Sequence, residues 1–244
     1  MIRILSIVAL VIITVASCTQ PAKDNLEATE AQRVQRIHEL ADHLAIDTTN
    51  SVVTWIGSKP TGQHNGIIAL DSGTVSIYQD TLVAAFIRIN ISSLQVMDIE
   101  DPDKNQKLKT HLLSDDFFHE SAHPFASFEV TDISTYDSTL VASDQEQYPS
   151  EFAPAKLSEF MVASPTHIVS GNLTMRGTTK NISFPAKIER ESKRYVIEAK
   201  FNIDRTDWKL SYNSEANVVD KAKDRFIYNT VNAGIYLEVP IEDK

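Results

Sequence analysis

The sequence predicts an all-β protein in which about eight antiparallel strands form a barrel or a sandwich. From residue 51 onward, apolar residues recur at every second position, which is the period of a half-buried strand. Most of these strand-length runs are joined by short polar turns, such as residues 78–81 and 176–179. Closure of the sheet into a barrel would also remove exposed strand edges.

The first 17 residues predict an export signal. They carry one cation at Arg3, an apolar run from Ile4 to Val15 and small residues directly before Cys18. The apolar run is shorter than the roughly 20 residues that span a bilayer, which disfavours a retained transmembrane helix. We therefore expect residues 1–17 to be a signal peptide.

Cys18 is the only cysteine of the chain and follows Val15-Ala16-Ser17, which resembles the lipobox of bacterial lipoproteins. In those proteins the cysteine is acylated and becomes the first residue. Acylation would hold the chain on a membrane and leave its exported part without a thiol for disulfides. The expected location is the bacterial cell envelope, with a lipid anchor on the periplasmic or outer-membrane side.

Residues 18–46 are predicted to contain this anchor and a spacer helix. Between residues 26 and 44 the apolar side chains fall near one face of a helix, and charged residues decorate the rest. That face comprises Leu26, Val34, Ile37, Leu40, Ala41 and Leu44. The barrel domain is predicted to occupy residues 47–244.

The strands are predicted from alternation along the remainder of the chain. Two of the clearest are the run Ile182, Phe184, Ala186 and Ile188, and the run Tyr195, Ile197, Ala199, Phe201 and Ile203. A third strand places Val83, Ala85, Ile87, Ile89 and Ile91 on one side. The candidates are residues 51–56, 74–78, 83–91, 127–133, 168–175, 181–188, 194–203 and 231–241.

Two connections interrupt the strands. Residues 97–123 are charged and tolerate a short helix, whereas residues 134–166 are rich in Ser, Pro, Glu and Gln and predict a long surface loop. The chain carries 33 acidic and 23 basic residues, a net charge of −10, without a basic patch. This balance excludes nucleic acid as an expected partner.

One motif raises the alternative of a zinc-dependent hydrolase. His119-Glu120-x-x-His123 has the spacing by which zinc proteases hold their metal from one face of a helix. However, Pro124 disfavours a helical conformation at His123, and residues 125–130 alternate as a strand. The predicted context therefore disfavours a metal site, and no metal ligand is assigned.

No other catalytic signal is present in the sequence. It has no Gly-x-Ser-x-Gly, P-loop or dinucleotide fingerprint, and we expect no enzymatic activity and no cofactor. Asp204-Arg205-x-Asp207 is interpreted as a structural ion network at the end of a strand.

Five segments, in order, resemble a known family. The first two are residues 51–66, with a strand and a Gly-containing continuation, and residues 91–98, with Ser-Leu before an Asp. The third and most specific contains His111, Leu112, Phe117, Phe118, Pro124 and Phe128. The last two contain Gly171, Leu173, Thr174 and Gly177, and then Asp204, Arg205 and Asp207. This order of segments resembles the YceI-like family of bacterial envelope proteins.

The resemblance implies a lipocalin-like barrel that binds, stores or transports a long-chain amphiphile of polyisoprenoid or quinone type without catalysis. The residues expected to line its lumen are Ile87, Ile89, Val130, Leu173, Ile182, Phe184, Ile197, Phe201, Ile235 and Leu237. The alternative is that these side chains fill a closed core and that the barrel is a ligand-free interaction or stress scaffold.

The sequence departs from the family pattern in three places. These are the added segment 26–44, the long segment 134–166, and residues 208–212, which lack the usual Gly after Trp208. Each departure could reshape the mouth of the barrel.

Overall fold

The structure, a computed structural model, describes residues 25–34, 39–137, 162–215 and 226–241. The predicted signal peptide, Cys18 and most of the predicted loop 134–166 lie outside the described residues.

The described residues form eleven strands and one α-helix. The strands are β1 Thr29–Glu30, β2 Asp42–Ala45, β3 Val52–Lys59, β4 Gly62–Tyr78, β5 Thr81–Asn90, β6 Gln95–Val96, β7 Phe125–Thr135, β8 His167–Met175, β9 Thr178–Arg190, β10 Arg194–Asp204 and β11 Thr230–Pro240. The helix α1 spans Pro102–Leu113, and single 3-10 turns follow β5 at Ile91–Ser93 and β10 at Arg205–Trp208.

Eight of these strands close into an antiparallel barrel, as predicted. Their order around the barrel is β9-β10-β11-β3-β4-β5-β7-β8, and β8 pairs back with β9. The two predicted turns are tight hairpin turns, with positive φ at Gln79 and Asp80 in one and at Arg176 and Gly177 in the other. Two central residues with positive φ match the right-handed twist of the flanking strands.

The predicted spacer helix at residues 26–44 is wrong. Thr29 and Glu30 form β1, Asp42–Ala45 form β2, and residues 35–38 lie outside the described part of the chain. β1 pairs with β9 through Thr29 and Asn181, and the Leu26 N–H donates to the carbonyl of Asn202 in β10, at 2.9 Å. Pairing with the barrel therefore overrides the helical spacing of the apolar residues.

β1 and β2 pair with the parts of β9 and β4 that their neighbours in the barrel leave unpaired. β9 and β10 are paired only from Ala186 and Ala199 toward the β9–β10 turn, and β1 lies beyond that point. β2 pairs with residues 74–77 of β4, whereas β3 covers residues 62–69 of the same strand. The segment before residue 47 is thus part of the barrel wall.

The register of β5 differs from its predicted alternation. A bulge opposite Ser76 and Ile77 shifts the pairing, so Leu82 is buried and Val83 is 37% exposed. The alternation predicted from Ile87 through Ile91 is confirmed, because all three isoleucines are buried. The extra residue of the bulge exchanges the two faces of the strand within the run.

Helix α1 lies in the predicted connection 97–123. Its N-cap is Asp101, whose side chain accepts hydrogen bonds from the backbone N–H groups of Asp103 and Lys104, and Pro102 occupies the first turn. The Asn105 amide donates to the carbonyls of Val96 and Ile99 and so fixes the helix to the preceding loop. No helix within the described ranges has the length and hydropathy of a membrane span.

Candidate functional site

An apolar cavity of about 360 Å³ opens inside the barrel, at the end that carries the β3–β4 turn and helix α1. Residues of seven strands, β3, β4, β5, β7, β8, β10 and β11, line it, because every second residue of a barrel strand faces the lumen. Representative lining residues are Ile89 of β5, Phe128 of β7, Leu173 of β8, Phe201 of β10 and Ile235 of β11.

Three phenylalanine rings form the floor of the cavity. Phe184 stacks on Phe201 with ring centroids 4.2 Å apart, and its tilted contact with Phe128 spans 5.4 Å. Phe128 and Phe201 face the cavity, whereas Phe184 lies behind them. Gly171 leaves the space for this packing, since a Cβ there would come within 2.2 Å of the Phe128 ring.

The predicted lumen residues divide between the two halves of the barrel. Ile87, Ile89, Leu173, Phe201 and Ile235 line the cavity. The other five are buried beyond the floor, where side chains fill the lumen, and these are Val130, Ile182, Phe184, Ile197 and Leu237. Alternation alone does not report where along a strand the filling stops.

Helix α1 and the segment after it close the mouth of the cavity. Leu108, His111 and Leu112, at helical spacing i, i+3 and i+4, line the cavity from one face of α1, and Phe117 and Phe118 follow. The third segment that resembles the family thus carries residues that line the cavity at this end of the barrel.

The His111 ring is held by three neighbours. It makes edge contacts with the rings of Phe117 and Tyr212, with centroids 5.1 and 4.8 Å apart. Its Nε2 atom lies 2.9 Å from an Asp116 carboxylate oxygen. These contacts fix the lid formed by α1 and Phe117 over the mouth.

Arg205 is the buried anchor of the loop beside the lid. It is only 3% exposed, yet its guanidinium donates to four backbone carbonyls, those of Leu210, Tyr212, Ile227 and Tyr228. Burial lowers the pKa of Arg205 from its ordinary value, against the opposing influence of Asp204 and Glu215. The prediction that Arg205 belongs to an ion network is therefore wrong, because its hydrogen-bond partners are backbone carbonyls. The prediction that its role is structural agrees with these contacts.

Arg176 joins three segments at the same end of the barrel. From the β8–β9 turn, its guanidinium donates to the carbonyls of Asp115, Phe117 and Lys209 at 2.7, 2.9 and 2.9 Å. Nearby, the Trp208 indole N–H donates to the Leu173 carbonyl at 2.9 Å. The lid is thus hydrogen-bonded to the barrel wall and is not held by apolar contact alone.

The His64 and Asp98 pair lies at the rim of the cavity. The His64 Nδ1 atom is 2.8 Å from Asp98, whose carboxylate also accepts the backbone N–H of Asn65 at 3.0 Å. Burial raises the pKa of Asp98, but the hydrogen bonds from Asn65 and His64 outweigh it, and the net pKa is lowered from its ordinary 3.8. Asp98 is therefore a carboxylate at neutral pH.

The residues of the predicted zinc alternative lie in turns outside the barrel. His119 has a left-handed φ of 50°, and the rings of His119 and His123 touch edge to face, with centroids 5.7 Å apart. Glu120 accepts a hydrogen bond from the Ser92 hydroxyl. In the described part of the chain, no three His, Cys, Asp or Glu side chains are grouped to hold a metal ion. The geometry thus gives no support to a zinc-dependent hydrolase.

A model of the YceI-like domain matches residues 44–239. The chain belongs to the YceI-like family. No curated protein matches the sequence significantly.

Two solved structures share the fold of this YceI-like chain at low sequence identity. A polyisoprenoid-binding domain from Saccharophagus degradans superposes with a TM-score of 0.52 at 16% identity, over 83% of this chain and 99% of that domain. BcnA from Burkholderia cenocepacia superposes with a TM-score of 0.52 at 15% identity, over 79% of this chain and 98% of BcnA.

Sequence reasoning missed several residues at the cavity of this YceI-like chain. Trp55 and Gly57 of β3 line the wall, and Arg176 holds the lid. A tryptophan in an otherwise aliphatic alternating strand is a signal that could have indicated Trp55. The sequence offers no comparable signal for Arg176, because its partners are backbone carbonyls.

Proposed function

We propose that this protein binds, stores or shuttles a long-chain amphiphile of polyisoprenoid or quinone type, without catalysis, in the bacterial cell envelope. The observation that carries the proposal is the apolar cavity beneath the lid, in a barrel whose other half is filled. Burial of apolar chain in such a cavity is favourable by about 25 cal/mol per Å².

Three further points support this class of ligand. The cavity is lined by aliphatic and aromatic side chains, and its aromatic floor sets the depth that a slender chain can reach. The structurally similar domain from Saccharophagus degradans is described as polyisoprenoid-binding. The ionisable groups of the site lie at its rim and in the lid, where they suit the polar end of an amphiphile.

The proposal includes a membrane anchor on Cys18. The lipobox-like sequence before Cys18 supports acylation, which would keep the barrel near the membrane that supplies its ligand. Such an anchor suits storage or local transfer of a lipid that is almost insoluble in water.

The direct test is organic extraction of the purified full-length protein, followed by mass spectrometry of the extract. We expect a stoichiometric lipid with a long apolar chain. Wild-type protein that contains no lipid and takes up neither geranylgeraniol nor menaquinone from detergent would contradict the proposal.

Substitution of Gly57 provides a sharper test. A Cβ at Gly57 would meet no atom within 4 Å, and the residue lines the cavity, so Gly57→Phe should fill lumen space without a clash. We expect the variant to lose most of the bound lipid, while its free energy of unfolding changes by less than about 1 kcal/mol.

Ala69→Phe is the matched control, since Ala69 is exposed on the neighbouring strand β4. It should retain the lipid content of the wild type. Equal lipid content in the Gly57 and Ala69 variants would show that the ligand does not occupy this cavity.

A further inference from the structure

The ionisable side chains that line the cavity are all basic. The chain as a whole has a net charge of −10, yet within the described residues no Asp or Glu side chain lines this cavity. The ionisable side chains of the lining are Lys59, His64, His111 and Arg205. The lining therefore differs in charge from the chain as a whole, and this difference favours a ligand with a negatively charged group.

Three of these four basic side chains are bound to protein groups. The His64 Nδ1 atom lies 2.8 Å from an Asp98 carboxylate oxygen, and the His111 Nε2 atom lies 2.9 Å from one of Asp116. The guanidinium of Arg205 donates to four backbone carbonyls. The hydrogen-bonding capacity of these three side chains is thus largely used by the protein itself.

Lys59 is the basic side chain of the lining that remains available to a ligand. It is the last residue of β3, on the strand face that also carries Trp55 and Gly57, and it is exposed at the mouth of the cavity. In the part of the chain that the structure describes, its ammonium has neither a salt bridge nor a hydrogen bond. An exposed ammonium keeps its hydration until a counter-ion binds, so this arrangement costs the fold little.

The β3–β4 hairpin leaves room for a head group beside Lys59. In its ladder, Gly62 lies opposite Lys59 and Gly57 lies opposite His64. A Cβ at Gly57 would meet no atom within 4 Å, and a Cβ at Gly62 would meet only the Lys59 Cε atom, at 4.0 Å. Because neither glycine has a side chain, the Lys59 ammonium can turn toward a ligand at the mouth without displacing a neighbour.

One carboxylate at the rim opposes the binding of an anion. Asp98 is ionised at neutral pH, but its oxygens contact the His64 Nδ1 atom and accept the Asn65 N–H, and it does not line the cavity. Coulomb energy falls with distance, so a carboxylate outside the lining repels a head group less than an ammonium in the lining attracts it. The balance at the mouth therefore favours an anionic head.

We propose that Lys59 binds an anionic oxygen group, a carboxylate or a phosphate, at the head of the lipid that occupies the cavity. The inference rests on the proposed lipid-binding function and narrows its ligand to isoprenoids with a charged head, in preference to quinones. Lys59 then selects the head group, while the apolar wall and the aromatic floor hold the chain.

The test compares three probes that share one isoprenoid skeleton and differ at the head, namely geranylgeranyl phosphate, geranylgeranoic acid and geranylgeraniol. We expect the full-length protein to bind at least one of the anionic probes about tenfold more tightly than the alcohol. The phosphate and the acid distinguish the two head groups. Added salt should reduce the preference, because salt screens an exposed ammonium.

Substitution of Lys59 tests the contact itself. Lys59→Met removes the ammonium and keeps an unbranched side chain, so it should weaken binding of the preferred anionic probe about tenfold and leave geranylgeraniol binding unchanged. Lys59→Arg keeps the charge and should retain the preference. Lys193→Met is the matched control, since Lys193 is exposed in the β9–β10 turn at the other end of the barrel and its loss changes the net charge equally. This control should bind every probe as the wild type does.

The outcomes separate this inference from the proposed function. Equal affinity of the wild type for the alcohol and both anionic probes would overturn the role of Lys59 and leave lipid binding intact. Similar losses in Lys59→Met and Lys193→Met would also overturn it, because net charge and not a contact at the mouth would then set the preference. A wild type that binds none of the three probes would instead contradict lipid binding.

Discussion

Arg205 shows at the residue scale how one side chain can organise a loop. Lysine would keep the charge but would lose the planar fork that reaches four carbonyls at once. We expect Arg205→Lys to lower the free energy of unfolding by about 2–4 kcal/mol, measured by urea denaturation. Arg190→Lys, at an arginine whose side chain is 53% exposed, is the control and should change stability by less than about 0.5 kcal/mol. Similar effects of the two substitutions would contradict the role assigned to Arg205.

Asp98 leads to a prediction about pH. Its folded-state pKa is below the ordinary 3.8, so the folded protein binds this proton less readily than the unfolded chain does. The resulting stabilisation is present above the ordinary pKa and is lost as the pH falls through the folded pKa. The difference in unfolding free energy between wild type and Asp98→Asn should therefore shrink on acidification below pH 3.8. Urea titrations across the acid range measure this difference, and a constant value would refute the assignment.

Sequence reasoning at this scale succeeded for apolar side chains and failed for polar contacts. The alternation of Ile182, Phe184 and Ala186 correctly predicted which face is buried. The partners of Arg205 could not be predicted, because backbone carbonyls are present at every position and carry no sequence signal. The interpretation of Arg205 as part of an ion network was wrong for this reason.

At the scale of elements, the segment before residue 47 illustrates a competition between local and long-range pairing. Its apolar residues fit a helical face, yet Leu26 and Leu44 pack against the barrel core from extended segments. Helix propensity is a weak prior that tertiary pairing can override. The unpaired edges of β4, β9 and β10 provided that pairing, and their position could not be predicted from the segment itself.

The contribution of the segment before residue 47 to the barrel wall can be tested at Leu26. Leu26→Ala removes a half-buried side chain beside β10, and we expect a loss of about 1–2 kcal/mol in unfolding free energy. Hydrogen exchange should also become faster at the backbone N–H of residue 26, which donates to the Asn202 carbonyl, and in β1, which pairs with β9. Glu27→Ala, at the exposed neighbour, is the matched control. If the two variants have the same unfolding free energy and the same exchange rates, the segment does not contribute to the barrel wall.

At the scale of the whole molecule, the barrel is divided by its aromatic floor into a filled half and an open half. The filled half contains side chains that are almost fully buried, among them Val75, Ala186 and Val239. Its close packing offsets the free energy of folding that the open half loses because its cavity is not filled by side chains. A chain with a single cysteine, which can form no internal disulfide, can thus hold an apolar cavity and still fold.

The short distance in sequence between Cys18 and the barrel limits how far a lipid anchor on Cys18 would let the barrel move from the membrane. Residues 19–24 separate Cys18 from Asn25, the first described residue, and the seven Cα–Cα steps between them span at most about 25 Å. The proposed anchor would therefore hold the barrel close to the membrane surface. Such a short tether raises a specific question, namely whether the cavity accepts the acyl chains of the protein's own anchor or a separate lipid.

Cys18→Ser in the full-length chain answers this question. We expect the substitution to abolish labelling by radioactive palmitate and to release the protein from membranes, since acyl chains supply the proposed anchor. Lipid extracted from the released protein should remain stoichiometric, because the cavity lies in a barrel domain that Cys18 does not contact in our proposal. Loss of the extracted lipid together with the label would instead show that the anchor itself fills the cavity. Retention of both label and membrane association would refute acylation at Cys18.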